Sequence, residues 1–221
     1  MKVVEIFKSI EGEGVRAGLP ATFIRLYGCN LRCSYCDTKY SYEGENEEKA
    51  YVYQDKTVAE IMAVVKRNGC KTITVTGGEP LIHPHIEDLL DSLLFAGCHV
   101  NVETNGTVAI PPKYRDCRNI IFTMDYKCPG SGMNKEMKAY PFSTLRPWDV
   151  LKFVVSDERD LDKMLEVLEN MPVPAVVFVS PVFGKIEPTT IVDFILKHSL
   201  FNVRVQLQLH KIIWDPDQRG V

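Results

Sequence analysis

The stretch Gly28-Cys29-Asn30-Leu31-Arg32-Cys33-Ser34-Tyr35-Cys36-Asp37-Thr38 places three cysteines close together. Three thiolates at this spacing can ligate three irons of a 4Fe–4S cluster and leave the fourth iron without a protein ligand. An open metal position accepts a small molecule, so it is where chemistry takes place. The triplet Cys29, Cys33 and Cys36 therefore predicts a catalytic iron–sulfur site.

A zinc site is the alternative interpretation of the same triplet. Structural zinc is bound by four ligands, often as two separated pairs, and no second pair follows in this chain. The remaining cysteines, Cys70, Cys98, Cys117 and Cys128, are scattered singly, and most are expected to be small buried hydrophobic residues. Seven is an odd count in a chain that is not a short secreted scaffold, which argues against a disulfide framework.

Composition describes an ordinary globular protein. The chain has 221 residues, of which 45% are hydrophobic and 25% are charged, and we expect a single domain over residues 1–221. A formal net charge of −3 gives no footprint for a nucleic-acid partner. No apolar run approaches the roughly 20 residues of a membrane span. The first residues lack the apolar region of a signal peptide, so the sequence predicts a cytoplasmic protein with reduced thiols.

Short β-rich runs alternate with helical stretches along the chain, which predicts an α/β fold with a mostly parallel sheet. We count about seven strands, over residues 21–27, 72–76, 99–103, 119–124, 150–155, 176–179 and 203–207. Helical periodicity covers residues 57–68, 86–96, 160–170 and 189–197. Residues 104–118 and 126–148 lack a convincing long helix, which favours an incomplete or modified (β/α) barrel. The acidic residues 43–49 are expected to form a solvated loop.

Polar motifs follow several of these strands, where the active sites of such folds collect. The run Thr76-Gly77-Gly78-Glu79-Pro80 lets the backbone approach a ligand closely, or it is simply a tight turn. Glu103, before the turn signal Asn105-Gly106, is a binding residue or a polar cap. Asp125 and Lys127 either bind the carboxylate and ribose hydroxyls of a nucleoside cofactor or form a surface ion pair.

The cysteine triplet followed by Thr76–Pro80 resembles the radical S-adenosylmethionine (SAM) superfamily closely. The resemblance implies that SAM chelates the open iron and that one electron from the reduced cluster cleaves it to a 5′-deoxyadenosyl radical. It also implies that the Gly-Gly-Glu-Pro run contacts the amino group of SAM and that Tyr35 lies near its adenine.

Two further segments resemble the 7-carboxy-7-deazaguanine synthase family: Ile6–Cys29 with its Glu-Gly-Glu-Gly run, and Gln206–Trp214. The resemblance implies a lyase of queuosine and 7-deazapurine biosynthesis. Its substrate would be 6-carboxy-5,6,7,8-tetrahydropterin, which is converted to 7-carboxy-7-deazaguanine with loss of ammonia. The resemblance further implies a Mg²⁺ ion, a homodimer, and an electron donor such as flavodoxin or ferredoxin.

The same resemblance assigns roles residue by residue. It gives cluster ligation to Cys29, Cys33 and Cys36, and a magnesium contact to Thr38. It gives SAM contacts to Tyr35, Asp37, Gly78, Asp125, Tyr126 and Lys127. It gives pterin contacts to Ile10, Glu11, Gly12, Arg25, Thr76 and His210, with Arg25 facing the carboxylate. Glu11 stands where many members have Gln, and we expect it to accept hydrogen bonds without donating one. No role is assigned to the residues after Trp214.

Two other classes of protein share part of this sequence pattern. An activase that installs a glycyl radical on a partner protein shares the cysteine triplet and a similar size. It needs a wide, open site for a polypeptide, whereas a pterin needs a narrow pocket. An electron-transfer or zinc-binding module explains the cysteines but leaves Thr76–Pro80 unexplained.

Overall fold

The structure, a computed structural model, describes residues 1–42 and 53–221. The strands in these residues are β1 (Lys2–Ile10), β2 (Pro20–Leu26), β3 (Gln54–Asp55), β4 (Thr72–Gly77), β5 (His99–Thr104), β6 (Ile120–Tyr126), β7 (Val150–Val155), β8 (Val176–Pro181) and β9 (Val203–Val205). The α-helices are α1 (Val58–Asn68), α2 (Ile86–Phe95), α3 (Ala139–Phe142), α4 (Glu158–Asn170), α5 (Pro188–Lys197) and α6 (Leu209–Ile213). None of the helices in the described residues is long and apolar enough to cross a membrane.

The strands form one sheet in the order β3-β1-β2-β4-β5-β6-β7-β8-β9. From β2 to β9 every neighbouring pair is parallel, whereas β1 runs antiparallel to both β2 and β3. The prediction of an α/β fold with a mostly parallel sheet is therefore confirmed. The parallel strands place their carboxyl ends, and the loops that follow them, along one edge.

Local sequence explains where the helices between these strands begin and end. Thr57 and Glu60 form a capping box at the start of α1, in which each side chain accepts a hydrogen bond from the other residue's backbone N–H. Gly69 ends the helix with φ = 73°, a conformation that costs glycine nothing. The buried residues Ile61 and Val65 form the side of α1 that packs into the core.

The predicted count of about seven strands was wrong, because two strands at one edge of the sheet were missed. In β1 only Val3 is buried, so its hydrophobic alternation is weak, and β3 has two residues. The last strand ends at Val205 rather than at residue 207. The predicted acidic loop at residues 43–49 lies outside the described residues.

Hydrogen bonds join the segment that follows β1 to the segment that follows β9. Gln206, just after β9, accepts a hydrogen bond from Gly14 N at 2.6 Å and donates one to Gly14 O at 3.0 Å. Leu209 N donates to Gly12 O at 3.1 Å. The Gln206 amide thus bonds both backbone groups of Gly14, as a neighbouring strand would, and joins the segment after β1 to the segment after β9.

Candidate active site

A cavity of about 580 Å³ lies at the carboxyl ends of the strands, next to the cysteine loop. Nearly all the predicted site residues line it: Ile10, Glu11, Gly12, Arg25, Cys29, Cys33, Tyr35, Cys36, Asp37, Thr38, Thr76, Gly78, Asp125, Lys127 and His210. Tyr126 is the exception. Its side chain is buried in the core against Phe142 and Phe153, so only its backbone could contact a ligand in the cavity.

The cysteine loop brings its three thiols to one side of the cavity. Burial, with smaller contributions from the neighbouring Cys36 and Cys29, raises the pKa of the Cys33 thiol to about 11. All seven cysteines are free thiols. The described residues contain no group of three or more His, Cys, Asp or Glu side chains close enough to hold one metal ion. A cluster does not require such a group, because each of its irons takes a single thiolate.

The glycine turn after β4 packs directly against the start of the cysteine loop. A Cβ on Gly78 would lie 2.0 Å from Gly28 O, and one on Gly77 would lie 2.1 Å from Leu26 O. Glu79 N donates to Gly28 O at 2.8 Å. Both glycines are therefore required by the close approach of two backbone segments, and they hold the cysteine loop beside the cavity.

Glu79 belongs to the interior of the protein rather than to the cavity. Its carboxylate is fully buried and accepts three hydrogen bonds, from Leu81 N at 2.9 Å, Thr104 Oγ1 at 2.8 Å and Asn105 N at 2.6 Å. These donors satisfy both oxygens. The Glu of the Gly-Gly-Glu-Pro run thus joins the turn after β4 to the turn after β5.

Asp125 and Lys127, with side chains 17% and 14% exposed, form an ion pair at the end of β6. Lys127 Nζ lies 2.7 Å from Asp125 Oδ2. Burial alone would lower the pKa of Lys127, but the Asp125 carboxylate outweighs it and keeps the pKa above its ordinary value. Asp125 Oδ1 is buried without a hydrogen-bond partner among the described residues. A buried acceptor beside a cavity fits a ligand that carries hydroxyl or amino donors.

Tyr35 and Thr38 sit on either side of Cys36. The Tyr35 hydroxyl donates to Val154 O on β7 at 3.0 Å, which fixes the ring against the cavity wall. The Thr38 hydroxyl lies 3.6 Å from Cys36 Sγ and caps no backbone N–H. Sulfur is a weak hydrogen-bond partner, so this hydroxyl oxygen can turn to a hard cation in the cavity.

Arg25 on β2 is held by a carboxylate and two aromatic rings. Its Nε lies 2.7 Å from Glu5 Oε1, and its guanidinium lies 5.9 Å from the ring of Phe7 and 5.8 Å from that of Tyr40. The Tyr40 hydroxyl donates to the same Glu5 oxygen at 3.1 Å. Because Glu5 engages Nε, the terminal nitrogens of the guanidinium fork can bind a second anion.

Glu11 is buried, and its carboxyl accepts a hydrogen bond from Thr74 Oγ1. Burial, together with the nearby charge of Glu103, raises the pKa of Glu11 to about 7. A carboxyl with this pKa is largely protonated just below neutral pH and then carries an O–H donor. In its protonated form Glu11 has one O–H donor beside its acceptor oxygen, whereas a Gln amide has two N–H donors, so the expectation that Glu11 only accepts hydrogen bonds applies to its ionised form.

Glu13 and Lys152 form a second buried ion pair that sequence reasoning missed. Lys152 Nζ lies 2.8 Å from Glu13 Oε2, while Gln208 and Ser180 also donate to this carboxylate, at 3.3 and 3.2 Å. Burial opposes the charge on Glu13, but the Lys152 ammonium holds its pKa below the ordinary value. The signal was a lone lysine within the otherwise apolar run Val150–Val155, where charged residues are rare.

The C-terminal residues also line the cavity, although the sequence assigned them no role. The Arg219 guanidinium lies 3.9 Å from the ring centre of Tyr40, and Lys211 Nζ donates to Pro216 O at 2.6 Å. His210 lies next to Gly12, where a Cβ would approach its Nδ1 to 2.3 Å. Burial lowers the pKa of His210, which favours the neutral imidazole.

Comparison with known proteins agrees with this geometry. Residues 23–171 match the family model of the radical SAM superfamily. The chain is 45% identical to the 7-carboxy-7-deazaguanine synthase of Clostridium acetobutylicum, covering 100% of this chain and 99% of the relative. It is 40% identical to the synthase of Methanospirillum hungatei, covering 98% and 86%. The crystal structure of QueE from Escherichia coli superposes with a TM-score of 0.72 at 27% identity, covering 94% and 93% of the two chains. The chain therefore belongs to the 7-carboxy-7-deazaguanine synthase family of the radical SAM superfamily.

Proposed function

We propose that this chain is a 7-carboxy-7-deazaguanine synthase that acts on 6-carboxy-5,6,7,8-tetrahydropterin in queuosine and 7-deazapurine biosynthesis. The observation that carries the proposal is one shared cavity. The cysteine loop and its glycine turn line the same cavity as Arg25, Glu11 and Thr76. A cavity of about 580 Å³ suits small molecules, whereas an activase would need room for a polypeptide.

Cys29, Cys33 and Cys36 are the proposed ligands of a 4Fe–4S cluster, and the backbone at Gly78 is the proposed cradle for SAM. Asp125 supplies the orphan acceptor Oδ1 for a donor of SAM. Tyr35, Asp37, Lys127 and the backbone of Tyr126 complete that site. When bound, the cluster and SAM supply a carbon-centred radical that removes a hydrogen atom from the substrate. The Cys29, Cys33 and Cys36 thiols and Lys127 are partly buried in the cavity wall, which limits the access of water to the reacting groups.

The proposed pterin contacts come from cavity residues outside the cysteine loop. The Arg25 fork, oriented by Glu5 and Tyr40, binds its carboxylate. Glu11 lies between the backbone of Ile10 and that of Gly12, and its protonated carboxyl can both donate to and accept from an aminopyrimidinone edge. Thr76 and His210 complete the contacts. Orienting the substrate this way is the main contribution of the protein, because the cofactor supplies the radical chemistry.

Thr38 is the proposed protein ligand of Mg²⁺, because its hydroxyl oxygen faces the cavity and is used by no helix cap. Mg²⁺ keeps several waters and binds few protein groups, so a single hydroxyl together with substrate oxygens is a fitting ligand set. We expect Thr38→Ala to weaken the dependence of turnover on Mg²⁺ and to leave SAM binding nearly intact. A Thr38→Ala variant that loses SAM affinity instead would contradict this role.

The test is an anaerobic assay of the iron–sulfur-reconstituted protein with reductant, SAM, Mg²⁺ and the carboxylated pterin, followed by mass spectrometry. We expect a product lighter than the substrate by one ammonia, with SAM not consumed in proportion. Accumulation of 5′-deoxyadenosine without loss of the pterin would overturn the substrate assignment.

The electron donor and the oligomeric state involve partners other than this single chain. We propose a flavodoxin or ferredoxin as the one-electron donor, because the cluster must be reduced before each cleavage of SAM. We also propose a homodimer, in line with the family resemblance. Size-exclusion chromatography with light scattering under anaerobic conditions tests the dimer, and reduction by purified candidate donors tests the first proposal.

A further inference from the structure

Asn105, in the turn after β5, directs its side chain to one of the three proposed cluster ligands. Asn105 Nδ2 lies 3.7 Å from Cys29 Sγ and 2.9 Å from Asn30 Oδ1. The Asn105 side chain is buried although it is polar. Its amide has two N–H donors, and these two partners account for both.

The hydrogen-bond network decides which end of the amide faces the sulfur. Thr107 N donates to Asn105 Oδ1 at 3.0 Å, and Thr107 Oγ1 lies 2.7 Å from the same oxygen. A backbone N–H can only donate, so the side facing Thr107 must be the carbonyl oxygen. The nitrogen, with its two hydrogens, therefore points to Cys29.

A buried carboxylate holds this turn in place. Glu79 accepts hydrogen bonds from Asn105 N at 2.6 Å and from Thr104 Oγ1 at 2.8 Å. Leu31 N provides a second donor to Cys29 Sγ, at 3.4 Å. Cys29 Sγ thus faces two N–H donors, one from the backbone and one from the Asn105 amide.

We propose that Asn105 is a positioning residue that raises the reduction potential of the cluster through its hydrogen bond to the Cys29 thiolate. The inference rests on the proposed function, which places the cluster at Cys29, Cys33 and Cys36. Reduction adds one electron from an external donor and breaks no bond. An N–H hydrogen pointing at a ligand sulfur stabilises the added negative charge, and such bonds are among the factors that set cluster potentials.

The test compares variants of the reconstituted holoprotein by redox titration with dithionite, following the reduced cluster by electron paramagnetic resonance. For Asn105→Ala we expect about a tenfold less favourable reduction equilibrium. That change is a midpoint shift of about 59 mV to more negative potential for a one-electron couple. Thr104→Val is the matched control, because it removes a hydrogen bond to Glu79 in the same turn but no donor to sulfur. We expect its potential to equal that of the unmodified protein.

Asn105→Ser is a second test variant, to be used if the Asn105→Ala protein does not bind the cluster. A serine hydroxyl can still accept from Thr107 N and keep the turn, but it is too short to reach Cys29. Equal potentials for the unmodified protein and the loaded Asn105 variants would overturn the inference alone, as would an equal shift in Thr104→Val. An unmodified protein that takes up no iron would overturn the cofactor assignment as well.

Discussion

The two sides of the cavity are built in different ways. The cysteine wall, formed by residues 29–38, 77, 78 and 105, is fixed largely by backbone contacts between short contiguous motifs. Gly78 N donates to Leu26 O at 3.0 Å, and Gly28 N donates to Ser41 O at 2.7 Å. The charged wall, formed by residues 11–13, 25, 152 and 208–210, is fixed by side chains. Its ion pair joins Glu13 after β1 to Lys152 in β7.

The difference follows from what each wall must hold. A cofactor used by a whole superfamily can be bound by main-chain geometry, which depends on glycine and spacing rather than on particular side chains. A particular substrate is recognised by charges and hydrogen-bond donors, and these are placed one residue at a time. We therefore expect substitutions in the first wall to remove the cofactor, and substitutions in the second to change stability, affinity or pH dependence.

The largest expected effect is in the cysteine wall. Cys33→Ala removes one of three thiolate ligands, so we expect loss of the cluster and of all turnover, measured by iron and sulfide analysis and by the pterin assay. The control is Cys128→Ala, because Cys128 is buried in the core away from the cavity and should cost stability without loss of iron. A Cys33 variant with a full complement of iron would contradict the ligand assignment.

Lys152→Met tests the charged wall. It leaves the Glu13 carboxylate buried without its ion-pair partner, and breaking such a pair typically costs about 3–5 kcal/mol. We expect a loss of this size in the free energy of unfolding of the iron-free protein, measured by urea denaturation. The double variant Lys152→Met, Glu13→Gln should recover part of it, because no unpaired charge remains. Equal losses in the single and double variants would show that packing, not charge, is responsible.

Arg25→Ala should separate substrate binding from cofactor binding. Loss of one partner of a buried charge pair costs about 2–5 kcal/mol, so we expect a higher KM for the carboxylated pterin with an unchanged iron content. Arg25→Lys keeps the charge but not the fork, and should recover only part of the affinity. An unchanged KM in the alanine variant would argue against a contact with the carboxylate.

The smallest expected effect depends on pH. Burial raises the pKa of Glu11 in the folded protein to about 7, above the ordinary value of 4.5 for a glutamate carboxyl, so the stability that its protonated form contributes is present below about pH 4.5 and lost as pH rises through 7. The loss amounts to about 3 kcal/mol at most. Glu11→Gln should remove this slope and leave the variant more stable than the unmodified protein at pH 8. Parallel unfolding profiles from pH 5 to 8 would contradict the raised pKa.

The sequence predicted the parts of the molecule that depend on local pattern. The Val150–Val155 strand has the predicted bounds, and the helix predicted over residues 57–68 is α1, Val58–Asn68. Strand β1, next to the edge strand β3, was missed because it buries only Val3 and shows no strong alternation. Among the cavity residues, those in contiguous motifs were found. Lys152 was not, since its partner Glu13 is brought to it only by the fold.

The contact between Gln206 and Gly14 also determines how late in translation the cavity can be completed. The two residues are 192 positions apart, and a ribosome adds about 5–20 residues per second, so roughly 10 to 40 s separate their translation. The cysteine loop and the glycine turn are complete well within that interval. The last side chains of the charged wall, at residues 208–210, are added only after Gln206. A nascent chain that ends before Gln206 therefore cannot close this cavity around a substrate.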